Sequence, residues 1–219
     1  MTTANDVQIN WAKLAHDLRG PLTPLQTAAW LLRNEPSASS HLELADILDR
    51  QTRRLARLID ELSDWGCICG KRDPLPVRPV EVSYLIDVAV ANIPGCQVQP
   101  VFTEEAMRFS LEGDQHHLGK MLHSILDYAV HRDPARNPRV SVSVISGDLQ
   151  IRVCDSGLAL HDSAREALLS QSLDKSFDDG LGLRLLIARK IAEAHGGSLS
   201  VEPSAEGMCL LCVLPRRPS

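Results

Sequence analysis

Residues 139–155 read RVSVSVISGDLQIRVCD. Valines alternate with serines in the first half, and Leu149, Ile151 and Val153 alternate with polar residues in the second. Successive side chains on a strand point to opposite faces, so this period of two predicts two strands, each with one face in a core. The intervening SGD supplies the turn residues of a hairpin. An antiparallel sheet is therefore the centre from which the rest is read.

Moving outward, DQHHLGKMLHSILDYAVHR (114–132) predicts a helix. Asp114 is its N-cap, and Leu118, Met121, Leu122, Ile125, Leu126 and Ala129 form its buried side. Before it, VEVSYLIDVAVANI predicts a helix after a short extended entry, and CQVQPVF and MRFSLEG predict strands. After the hairpin, residues 158–179 show no clear period. LGLRLLIARKIAEAH then predicts a helix closed by Gly196 and Gly197, followed by strands SLSVEP and MCLLCVL around SAEG. Helices on one face of a mainly antiparallel sheet make a mixed α/β sandwich.

The N-terminal third has a different rhythm. Trp11, Leu14, Leu18, Leu25, Ala28 and Leu32 fall at steps of three and four, interrupted at Pro21 and Leu22. Pro36, in NEPSASS, stops this helix. A second helix runs from about His41 to Trp65 on a seam of Leu44, Leu48, Leu55, Leu58 and Leu62. A lone helical hairpin cannot bury both seams, so a four-helix bundle with a second copy of the chain is expected. GCICGKRDPLPVRP has no period. The expected organisation is thus α followed by α/β: a hairpin at 1–66, a linker at 67–77 and the sandwich at 78–219.

The formal charge of -5 lacks the basic excess of broad nucleic-acid binders. No apolar run reaches the length of a membrane span, and the start lacks the pattern of a signal peptide, so the expected location is the cytoplasm. The six cysteines are expected to be reduced. Cys209 and Cys212 sit three apart on a strand and face opposite sides, so they cannot share a metal. Cys67 and Cys69 have no matching second pair. No metal-ligating residue is assigned.

LAHDLRGPL (14–22), VCDSGLAL (153–160) and DDGLGLRLLIARKIAEAHGGSLSVEPS (178–204) carry a resemblance. They resemble, in order, the H, G1 and G2 boxes of two-component histidine kinases. The likeness implies a dimerisation and phosphotransfer hairpin. It also implies an ATP-binding domain of the GHKL type, the fold shared with DNA gyrase, MutL-type repair proteins and a heat-shock chaperone. A repair or chaperone ATPase would need no phosphoacceptor hairpin. The resemblance makes His16 the phosphoacceptor, attacking the γ-phosphate of ATP through Nε2. Asp17 accepts from Nδ1–H, fixes the tautomer and stabilises the charge that forms. Pro21 is expected to bend the helix just past the histidine. In the second domain the resemblance makes Asp155 the acceptor for the adenine amine, with Gly157 passing close to the ring. Gly180 and Gly182 present backbone N–H groups to the phosphates.

The departures are as informative. The family's N box has two Asn that hold Mg²⁺ and the triphosphate; here the positions fall on Ser124 and Tyr128. That puts Mg²⁺ in doubt and should lower turnover more than nucleotide binding. Asp127 lies about 100° round the helix from Tyr128. His131 stands where the family often has Lys. Ala159 replaces the second Gly of the G1 box, and Phe177 is the remnant of a short lid. Gly20, four residues after His16, has no side chain to orient a hydrolytic water, so phosphatase activity is expected to be weak or absent. Arg50, Arg53, Arg54 and Arg57 are interspersed with acids and read as a solvated face.

The expected function is a histidine kinase that phosphorylates His16 from ATP and passes the group to a response regulator's aspartate. The partners are a receiver domain, a second copy of the chain and a separate sensor protein or kinase. The alternative is an ATP-silent phosphotransferase or regulatory pseudokinase, which relays phosphoryl groups or heterodimerises with an active kinase.

Overall fold

In the computed structural model the two alternating segments pair as a hairpin, with Asp148 of the SGD turn already in the second strand. Strand β4 (Arg139–Ile145) runs antiparallel to β5 (Asp148–Cys154), with Arg139 opposite Cys154 and Ile145 opposite Asp148. The turn residues Ser146 and Gly147 have φ of 57° and 89°, the left-handed geometry that lets a two-residue hairpin follow the strand twist. The structure describes residues 11–34, 38–70, 76–172, 180–204 and 206–217. The chain divides into two compact units. One is Met1–Gly66 with Gln171–Leu183, and the other is Cys67–Ser170 with Arg184–Ser219.

The first unit is built on helices α1 (Trp11–Asn34) and α2 (Ala38–Cys69). Leu14 and Ala28 of α1 and Leu44, Leu58 and Trp65 of α2 are buried, the spacing of one helical face. Helix α1 runs through Pro21, and also through Pro24, without ending. Each proline lacks an N–H, so the carbonyls of Asp17 and Gly20 lose their i+4 donors while the helix continues. Pro36 and Phe177 lie outside the described residues. Helix α2 continues to Cys69, so the first residues of the expected linker are its last turn.

The second unit adds β1 (Arg78–Val80), α3 (Val82–Ala91), β2 (Val101–Phe102), α4 (Glu104–Met107), β3 (Leu111–Gly113) and α5 (Gln115–Arg132). After β4 and β5 come α6 (Asp162–Leu168), α7 (Arg184–Ala194), β6 (Ser198–Ser204) and β7 (Gly207–Leu214). The main sheet has the order β2-β4-β5-β7-β6, with β2 parallel to β4 and the remaining pairs antiparallel; β1 and β3 form a separate pair. Its inner column stacks Val153 on Leu210, Ile151 on Cys212 and Leu149 on Leu214, all buried. Helix α5 packs between α3 and α7. Two short helices, α4 and α6, escape a periodicity argument because neither is long enough to show a period. Strand β2, at the edge of the sheet, is only two residues long, with Pro100 before it and the α4 cap residue Thr103 after it.

Two side-chain locks fix α5. Asp114 caps it, accepting from the amides of His116 and His117 and from His117 Nδ1 at 2.6 Å. His195, buried just past the end of α7, accepts from the Asp114 amide at Nε2 (3.0 Å). That assignment leaves the proton on Nδ1, which donates to the Ile191 carbonyl (2.8 Å).

The cysteines correct the sequence expectation. Cys154 and Cys209, directly opposite on β5 and β7, form a disulfide. Their facing register brings the Cα atoms to 4.0 Å, a proximity that sequence separation hides. Cys212 does face the other way, against Met121 Sδ, and burial pushes its thiol pKa up to about 12.

Candidate functional site

His16 and Asp17 lie on the predicted first helix, whereas Gly180 and Gly182 precede α7, which begins at Arg184, and Asp155 lies just past the end of β5. In the first unit His16 lies on α1, five residues before Pro21. Its side chain is 86% exposed, and its Nδ1 lies 3.2 Å from Asp17 Oδ1. With the proton on Nδ1 and directed to the carboxylate, Nε2 keeps its lone pair. Gly20 is exposed, with open space where a side chain would be.

The same unit contains residues 180–183. Gly182 has φ of 73°, a conformation natural to glycine, and so turns the chain before α7. The amides of Leu181 and Leu183 donate to Glu61 Oε2 at 3.1 and 3.3 Å. Glu61 is only 5% exposed. This contact was missed in the sequence, yet a signal exists: Glu61 stands at an apolar-stripe position between Leu58 and Trp65. The carboxylate thus accepts from two alternate backbone amides of this loop.

In the second unit Asp155 follows directly from β5 and is 2% exposed. Its Oδ1 accepts from the Gly157 amide (2.9 Å), and its Oδ2 accepts from Arg132 Nε (2.9 Å). Arg132 also donates through Nη2 to the Leu158 carbonyl. A Cβ at Gly157 would lie 3.0 Å from the Arg132 carbonyl and 3.2 Å from Asp155 Oδ1, so glycine fits this crowded crossing. Tyr128 lies one turn before Arg132. Burial pushes its phenol pKa up, with the Arg132 charge and hydrogen bond opposing.

The positions to which the resemblance assigns the N box, Ser124 and Tyr128, carry a hydroxyl and a phenol. Ser124 and Tyr128 are both buried. Asp127, also buried, accepts from Arg184 Nη1 at 2.9 Å, and its Oδ1 lies 3.3 Å from His131 Nδ1. His131 Nδ1 also lies 2.8 Å from the Asp127 carbonyl. Magnesium requires several hard oxygens in a near-octahedron. Here one position is a hydroxyl, the second a buried phenol, and the adjacent carboxylate is already committed to a guanidinium. Among the described residues no group of three or more His, Cys, Asp or Glu could hold a metal ion. The donor set does not fit Mg²⁺.

On helix α2, Arg53 pairs with Asp49, in keeping with a solvated face. No helix among the described residues is long and apolar enough to cross a membrane.

Comparison with known proteins gives these features a family. Residues 11–68 match the His Kinase A (phospho-acceptor) domain, and residues 113–218 match the histidine kinase-, DNA gyrase B- and HSP90-like ATPases. Sensor protein ChvG of Rhizobium meliloti is 26% identical over 209 residues, which are 87% of this chain and 36% of that protein. Nitrogen regulation protein NtrY of Azorhizobium caulinodans is 28% identical over 213 residues, 89% of this chain and 27% of that protein. Adaptive-response sensory kinase SasA of a Synechococcus species is 28% identical over 209 residues, 88% of this chain and 55% of that protein. The chain thus spans from about a quarter to just over half the length of these curated relatives. Among solved structures, histidine kinase ThkA in complex with response regulator TrrA matches with a TM-score of 0.74 at 19% identity, over 94% of this chain and 61% of that one. Full-length ShkA in complex with AMPPNP matches with a TM-score of 0.69 at 20% identity, over 95% of this chain and 46% of that one. The chain belongs to the two-component histidine kinase family, with a phospho-acceptor helical hairpin followed by a GHKL-type ATPase domain.

Proposed function

We propose that this chain is the kinase core of a two-component pathway in the cytoplasm. It binds ATP, phosphorylates His16 and passes the phosphoryl group to an aspartate of a response regulator's receiver domain. The observation that carries this reading is the exposed His16 ring, with Nδ1 tied to Asp17 and Nε2 available. The Nε2 lone pair attacks the γ-phosphorus, an N–P bond forms, and the bond to the bridging oxygen breaks with its electron pair leaving on ADP. Asp17 stabilises the imidazolium as charge develops. A receiver carboxylate then takes the phosphoryl group and restores the neutral ring.

Asp155 accepts from the adenine amine, Gly157 allows close approach, and the loop carrying Gly180 and Gly182 offers amides to the phosphates. The ATPase family match and the AMPPNP-bound neighbour support ATP as the nucleotide. The ThkA–TrrA complex supports a receiver as partner, and the hairpin's two apolar seams support a homodimer. A separate sensor protein is a further partner of this reading. With Ser124 and Tyr128 in place of paired amides, turnover is slow relative to binding, since phosphoryl transfer depends on positioning and charge neutralisation. With Gly20 four residues after His16, phosphatase activity is weak or absent.

The test is incubation of the native chain and His16→Ala with γ-labelled ATP and Mg²⁺. Label on the native chain alone is expected. No label from ATP, together with label arriving from a phosphorylated receiver, would replace the kinase reading with a relay.

A further inference from the structure

Asp155 is the chain's own candidate for reading a base, yet its carboxylate is already engaged. Arg132 Nε donates to Oδ2 at 2.9 Å, and the same guanidinium reaches the Leu158 carbonyl through Nη2. Both partners are largely shielded, with side-chain exposures of 13% for Arg132 and 2% for Asp155. An amine seeking Oδ2 must therefore displace or share the bond from Nε. Guanidinium is donor-only, with five N–H groups in a planar fork. It competes with a donor on the base and welcomes an acceptor there, as arginine does at the carbonyl edge of purines generally. Resting on the nucleotide reading above, we propose that Arg132 is a specificity-determining residue that weakens binding of amine-bearing purines and admits carbonyl-bearing ones. An adenine base gains Asp155 only by taking it from Arg132. A hypoxanthine base leaves that pair in place and accepts from the guanidinium through its carbonyl.

The test measures ADP and IDP affinities of the full chain by calorimetry. The two ligands differ in the amine and carbonyl that are at issue. Arg132→Ala should tighten ADP at least fivefold, because the buried carboxylate then lacks its cation and the amine supplies a donor. The same change should weaken IDP at least twofold, because the carbonyl loses its donor and meets an exposed acceptor. Opposite shifts are not what general loosening of the fold would give. Unchanged affinities, or ADP and IDP moving together, would overturn the proposal. Arg132→Lys, which keeps the charge without the fork, provides the second variant should alanine unfold the domain. It should give smaller shifts of the same signs, and an ADP loss would count against the idea. Asp155→Asn separates the two levels. Loss of ADP binding there, with no response to Arg132 changes, leaves the nucleotide reading standing and removes this one. No binding of either nucleotide by the native chain removes both.

Discussion

Arg184 Nη1 donates to Asp127 Oδ2 at 2.9 Å, joining the first turn of α7 to the middle of α5. Asp127 is buried, and its carboxylate faces that partner and His131. Removing one member of a buried pair strands the other. Arg184→Ala should therefore cost about 2 kcal/mol, because His131 still faces the carboxylate. Asp127→Ala should cost about 3 kcal/mol, because it takes the buried carboxylate away from both the Arg184 guanidinium and His131 and opens space in α5. Urea denaturation of both variants checks the order, and the double variant should cost less than the sum.

His195 binds two backbone groups at once, the Asp114 amide and the Ile191 carbonyl. Truncation to alanine leaves the buried amide without its acceptor and a ring-sized space beside Gly113. A loss of about 3 kcal/mol is expected. A melting temperature within a degree or two of native would contradict this account.

Burial pushes the Asp114 pKa up, but the His117 hydrogen bonds, the His117 charge and the His116 amide outweigh it. The carboxyl is held below its ordinary value of 3.8. A depressed folded-state pKa contributes stability that is complete above the unfolded value and is lost as pH falls through the folded one. Stability should thus hold from neutral pH down to about pH 5 with respect to this group, then fall below about pH 4. In Asp114→Asn the acid limb should flatten when unfolding is followed from pH 6 to pH 2.

Glu61 holds the amides of Leu181 and Leu183. Glu61→Gln keeps the shape but replaces charge-assisted bonds with neutral ones, which are roughly half as strong. Hydrogen exchange at those two amides should quicken about tenfold, for a loss of about 1.4 kcal/mol of local protection. Unchanged exchange would show that the carboxylate does not control this loop.

Much of this was legible because it depends on local chemistry. The β4–β5 hairpin follows from alternation and a turn signal. The α5 cap follows from an aspartate placed ahead of an amphipathic run. His16 beside Asp17 is a neighbour relation that needs no tertiary information. What stayed hidden was pairing at a distance. Arg132 reaches Asp155 across 23 positions and Arg184 reaches Asp127 across 57, distances over which sequence spacing carries no geometry. Glu61 left a trace, a charge in an apolar stripe, but nothing in the helix names its partner. The cysteines divide the same way: that Cys209 and Cys212 face opposite sides follows from strand alternation, while the pairing of Cys209 with Cys154 leaves no mark in the sequence.

That disulfide encloses a covalent ring of chain with a separation of 55 residues, running through α6, α7 and β6. A protease that nicks the backbone once anywhere inside the ring will yield two pieces that migrate as one until a reductant is added. Fragment sizes from limited digestion are therefore readable only when gels are run with and without thiol, and the difference between the lanes tells a cut inside the Cys154–Cys209 ring from one outside it.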